Sequence, residues 1–154
     1  MTIVVATKME PVTRTLRAPY SSVTVTVRRL RSPEWEAARE AAQSIVRDDG
    51  KLWPLLVEHD LLPSGGLKAL RRQRERDPLA YAVTLSGIVM WLVAVECALA
   101  GLVSWEGVVR EGESEPAPIT REVLQTLLLD DRLSDELMTV LTEAGRLLVV
   151  EGKP

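Results

Sequence analysis

One segment constrains this chain more than any other. Val83 to Val103 reads VTLSGIVMWLVAVECALAGLV, an apolar run about as long as a membrane span. Glu96 lies well inside it, and a charge at the centre of a span costs at least about 2.5–3.5 kcal/mol on insertion scales. The far flank carries Glu106, Glu111, Glu113 and Glu115 rather than a Lys/Arg cluster. The run is therefore expected to be a core helix rather than a membrane helix. Asp77-Pro78 offers a capping side chain and a proline at the first helical position. A helix from about Pro78 to Val103 would be about 39 Å long. Because it is apolar nearly all round, it must be central in the fold or covered by other copies.

A chain of 154 residues fits one domain. Lys and Arg (19) nearly balance Asp and Glu (22), which argues against a generally basic, nucleic-acid-coating protein. One cysteine excludes an internal disulfide framework, and a single histidine beside it argues against a zinc site. Phe is absent and aromatics are 4%, too few for a sheet that stacks RNA bases. The start, Met1 to Lys8, has no basic stretch followed by an apolar one, so no secretory signal is expected. Composition thus predicts a soluble intracellular globular protein. Charge is split: residues 1–76 carry +5 and residues 77–154 carry −8. Such polarity either orients copies head to tail or reflects two solvated faces.

The first 31 residues read as a β-rich arm. Thr2 to Thr7 and Val12 to Leu16 are rich in β-branched residues, and Val23, Val25 and Val27 alternate at period 2. Pro11 and Pro19 mark turns or edges. The arm packs its Val face on its own helices, is partly disordered, or pairs with another copy's edge. A helical body over residues 32–150 is expected next, with residues 151–154 as a disordered tail. Ser32-Pro33-Glu34 starts a helix to about Arg47, with Trp35, Ala38, Ala41, Ala42 and Ile45 on one stripe. Asp48-Asp49-Gly50 ends it. A short helix or turn over Lys51 to Leu61 and a short helix over Gly66 to Arg76 precede the long one. Thr120 then caps a helix to about Leu129. A last helix, begun by Asp131 or Ser134, runs to about Val150. The fold class is α+β, mainly α: a small antiparallel hairpin or sheet followed by about five to six helices.

Few residues suit catalysis. One His and one Cys leave no Ser–His–Asp or Cys–His set, and no catalytic, cofactor or metal residue is assigned. Cys97 reads as a buried small hydrophobe. His59, in Val57-Glu58-His59-Asp60, reads as a paired or capping side chain. Gly65-Gly66 is a turn, not a phosphate loop. Asp48/Asp49 and Asp130/Asp131 sit at helix boundaries, where capping accounts for them. The run Arg71-Arg72-Gln73-Arg74-Glu75-Arg76 lacks interleaved aromatics and reads as a solvated face rather than a phosphate-binding one. Glu96 either needs a cation, from Arg121, Arg132 or Arg146, or marks a solvated stripe.

The stretch Leu102 to Leu141 carries a resemblance. It contains Trp105-Glu106-Gly107-Val108, an acidic loop with prolines, Pro118-Ile119-Thr120-Arg121-Glu122, a Leu127-Leu128-Leu129 run and an amphipathic end. This resembles the tail assembly chaperones of long-tailed bacteriophages and related prophage or gene-transfer-like elements. About 40 residues match well. The β-rich start, the Arg28-Arg29-Leu30 step and the Ser32-Pro33-Glu34 start with Ala38 match in outline. The loop, Glu111 to Pro118, is longer than is usual in that family. The resemblance implies a non-enzymatic assembly factor without cofactor, acting in the cytoplasm of the bacterial host and absent from the mature virion. Its implied partners are the tape measure protein and the tail tube protein, with homo-oligomers possible and neither nucleic acid nor membrane bound. It also implies a longer product made by ribosomal frameshifting. Trp105, Glu106, Gly107, Val108, Pro118, Thr120 and Glu122 are the motif residues, each either architectural or a partner contact. The alternatives are a tail or connector component retained in the virion, or a DNA-associated regulator using Arg71–Arg76.

Overall fold

The computed structural model describes residues 2–5, 10–144 and 148–151. The chain is α+β and mainly α. Its order is β1 (Thr2–Val5), β2 (Val12–Thr15), β3 (Thr24–Val27), α1 (Ser32–Arg47), α2 (Asp49–Glu58), α3 (Gly66–Arg76), α4 (Pro78–Gly101), β4 (Leu102–Glu106), α5 (Arg121–Leu127), α6 (Asp131–Ala144) and β5 (Leu148–Glu151).

β2, β3 and β4 form an antiparallel sheet in that order, and β1 pairs with β5 in a separate antiparallel ribbon. The Val/Thr alternation of β3 buries Val25 and Val27 on one face, as a half-buried strand requires. The arm thus packs in cis: Val25 lies opposite Trp105 and Thr24 opposite Glu106. Two stretches expected to be helical are strands. The long helix ends at Gly101 rather than Val103, and the chain turns directly into β4. The Arg28 amide donates to the Gly101 carbonyl at 2.8 Å, extending the link between β3 and the helix end. The last helix is described to Ala144, and Leu148–Glu151, whose first three residues the spacing predicts as its end, pairs instead with Thr2–Val5; residues 6–9 and 145–147 lie outside the described residues. The β-branched Val149 and Val150 favour a strand once a partner strand is at hand. Glu151, expected in a disordered tail, belongs to that strand; residues 152–154 lie outside the described residues.

Helix boundaries follow local chemistry. The cap of α1 falls on Arg31, not Ser32, and the Glu34 carboxylate accepts from the Arg31 amide at 3.3 Å. Asp48 closes α1 and opens α2, its side chain accepting from the Gly50 amide. Asp77 caps α4 by accepting from the Ala80 amide at 3.1 Å, as expected. α6 starts at Asp131, one of the two starts expected, and Asp130 before it accepts from the Leu133 amide at 3.0 Å. The core gathers around the C-terminal half of α4, where Trp91, Leu92, Ala94, Val95, Cys97, Ala98 and Gly101 are buried. α1 lies along it with Ala38, Ala42 and Val46 inward, and α6 contributes Leu133, Leu137, Val140 and Leu141. At Gly101 an added Cβ would stand 2.5 Å from a Leu141 methyl, so the α4–α6 approach depends on that glycine.

Candidate interaction surface

α4 is divided by burial. It is long and apolar enough to cross a membrane by length and composition alone. Its C-terminal half is core; in its N-terminal half Tyr81, Leu85, Ile88 and Val89 pack against the core while the opposite face is exposed, so the helix is central on one side only. Leu79, Val83 and Met90 are 77%, 65% and 74% exposed. Ala82, Ser86 and Gly87 are exposed with them. At 100° per residue these six positions form one stripe, about three turns long. Singly exposed apolar side chains are ordinary, but a contiguous face of them marks an interaction site.

A groove of about 800 Å³ adjoins this stripe. α4 contributes Gly87 to Trp91, Val93 and Ala94; α1 contributes Arg39 and Gln43, and the α5–α6 side contributes Leu129, Asp131, Asp135 and Met138. The groove is therefore apolar and methionine-bearing, with a cation on one side and carboxylates on the other. Methionine adapts its shape to varied apolar partners. Beneath the groove the helices are held firmly. The Trp91 indole donates to the Gln125 carbonyl at 3.1 Å, and the His59 ring meets Trp91 edge-on at 5.3 Å.

The motif residues lie beyond the other end of α4. Trp105 does not end a helix; it sits in β4, 6% exposed, and its indole N–H donates to the Ala117 carbonyl at 2.7 Å. The Ala117 amide in turn donates to the Val108 carbonyl at 2.8 Å, and Val109 bridges to Pro116. The acidic loop is thus closed at its root. Gly107 has φ +87°, and an added Cβ would lie 2.1 Å from the Ser22 carbonyl oxygen. Thr120 caps α5 through the Val123 amide at 3.3 Å. Glu106, Pro118 and Glu122 are exposed, and Val108 is half-buried. Trp105, Gly107 and Thr120 therefore serve local architecture, and the motif is not drawn into the groove.

Of the three cations considered for Glu96, Arg121 is the partner; Arg146 lies outside the described residues. Its guanidinium donates to both carboxylate oxygens, at 2.8 and 3.1 Å, and ties α5 to α4. That hydrogen bonding holds the Arg121 guanidinium pKa above its ordinary value. The basic helix α3 is less free than its sequence suggests. Arg71 stacks on Trp53 at 4.4 Å, and Arg74 reaches Trp53 and Tyr81 while binding Asp49 through both oxygens. The fold thus supplies the aromatics that the sequence run lacks. Burial pushes the Cys97 thiol up to about 11, which keeps it protonated. Among the described residues no three of His, Cys, Asp and Glu are grouped to hold a metal ion.

Sequence reasoning missed the exposed stripe. α4 is apolar on every side, so its pattern has no phase to say which face is out. The only signal was the cluster of small and polar residues, Thr84, Ser86 and Gly87, in one half. Comparison with known protein families, curated proteins and solved structures finds no match to this chain.

Proposed function

We propose that this chain is a tail assembly chaperone of a long-tailed phage or related element. It binds the helical tape measure protein, shields its apolar stripes from aggregation, and assists recruitment of tail tube subunits. The observation that carries this reading is the exposed apolar half of α4 beside the groove lined by Met90, Leu129 and Met138. An amphipathic client helix buries its stripe in such a groove by the helix-in-groove mode. The Trp105-Glu106-Gly107-Val108 stretch and the Thr120-started helix support the family, but their bonds are internal. In this reading they hold the scaffold, and the α4 face meets the client.

The test begins with the DNA around the gene. A slippery heptamer near the stop codon, an overlapping frame and then a very long helical frame are expected. Neighbours encoding metabolic enzymes and no tail genes would overturn the reading. Mass spectrometry of purified particles adds a second arm, because a chaperone is absent from them and a retained tail component is present.

A further inference from the structure

The exposed stripe of α4 has a complement within the same chain. Leu79, Ala82, Val83, Ser86, Gly87 and Met90 occupy positions symmetric about the midpoint between Thr84 and Leu85. Symmetric spacing is a property of any helical stripe; the side chains are not. In an antiparallel crossing, Leu79 meets Met90, Ala82 meets Gly87, and Val83 meets Ser86. The longest side chains pair at the ends, and each of the two inner pairs holds at least one small residue, which lets the helices approach. Among the described residues nothing calls for Gly87: an added Cβ there meets none of their atoms within 4 Å. A glycine inside a helix lowers its stability relative to alanine. A backbone from outside the chain, approaching at that point, supplies the missing reason.

Charge agrees with the same arrangement. Arg76 stands three residues before Leu79, and Arg72 a turn earlier on α3. Asp131 and Asp135 line the groove beside Met90. None of these four takes part in an ion pair among the described residues. An antiparallel crossing brings the basic end of one copy to the acidic groove of the other, twice by symmetry.

We infer that two copies of this chain pair through α4, antiparallel about a two-fold axis, each covering the other's client face until a client displaces it. This rests on the reading of that face as a client surface. Self-association is measured without a client, so its failure leaves the chaperone reading standing.

Sedimentation velocity of the full chain is expected to give twice the 17.1 kDa chain mass at micromolar concentration. Gly87→Leu is expected to weaken the dimer roughly ten- to hundredfold by overpacking the crossing. Its helical signal stays equal or rises. Arg76→Glu and Asp135→Arg each weaken the dimer, and the two together restore it, which keeps the test independent of any folding defect at Gly87. Leu79→Cys mixed with Met90→Cys forms a disulfide dimer. Leu79→Cys alone does not, because its two copies sit about 16 Å apart along the crossing. A monomer at every concentration overturns the inference. So does a dimer indifferent to Gly87→Leu and to the charge changes, or one cross-linked by Leu79→Cys alone. A monomer that co-sediments with phosphatidylcholine–phosphatidylglycerol vesicles overturns it in favour of a membrane surface.

Discussion

Gly107→Ala separates architecture from partner contact in the Trp105–Val108 stretch. The residue has φ +87°, and its Cβ would stand 2.1 Å from the Ser22 carbonyl oxygen, 2.9 Å from its carbon and 3.1 Å from the Val23 Cα. All three are backbone atoms, so no rotamer change relieves the clash. A left-handed conformation costs an L-residue about 1–2 kcal/mol. Forcing atoms into a filled space adds about 1–3 kcal/mol. The sum is a loss of about 2–5 kcal/mol, or a fall in Tm of about 4–20 °C for a chain of this size. Gly112→Ala is the internal control. Its φ is +78°, and among the described residues nothing lies within 4 Å of the added Cβ, so only the conformational cost applies. Thermal melts followed by circular dichroism compare the two. If Gly107→Ala melts no lower than Gly112→Ala, the close approach of the loop to the β2–β3 turn is wrong. The architectural role of the motif then falls with it.

Other consequences follow from the same geometry. Glu96→Gln weakens the link to half-exposed Arg121 and is expected to cost about 1 kcal/mol in urea titration; an unchanged midpoint would contradict it. Tyr20 donates to the Asp130 carboxylate at 2.5 Å, and that hydrogen bond lowers the Asp130 pKa while raising that of Tyr20. Because the Asp130 pKa is depressed on folding, its contribution is whole above the ordinary value of 3.8 and fades as pH falls through the lower folded value. Tyr20→Phe should flatten the acid limb of a Tm-against-pH curve, and an unaltered limb would count against the bond. Cys97 should stay silent to a thiol reagent at pH 8 in the native protein and react fully in denaturant, since its thiol is buried with a pKa of about 11. Stoichiometric native labelling within minutes would mean the α4 core opens.

Much of the scaffold was legible because its signals are local. The Val23, Val25 and Val27 alternation announces β3, and Asp77-Pro78 and Thr120 announce two helix starts with the caps observed. The strands at 102–106 and 148–151 were not legible, for one shared reason. Each continues an apolar helical pattern, and only a partner strand distant in sequence decides that it leaves the helix. Leu148 continues the spacing of Leu141 and Ala144, yet it pairs with Val5. Glu96 was readable as a residue in need of a cation, but choosing Arg121 over Arg132 required the α4–α5 packing. The candidate surface was the least legible part. Its apolar character was plain, whereas its exposure depends on α1, α5 and α6 covering only the other half of α4.

The most direct test of that surface is co-expression with the long helical reading frame that the proposed function expects at the same locus. Wild-type chain and a Val83→Glu/Met90→Glu variant are purified in parallel and compared by size exclusion. Both substituted positions are exposed, at 65% and 74%, so the variant keeps its fold and its melt. The account expects the wild-type chain to hold the helical protein in solution and co-elute with it, and the variant to lose both effects. Failure of the wild-type chain to co-elute would contradict it, as would equal co-elution of the well-folded variant.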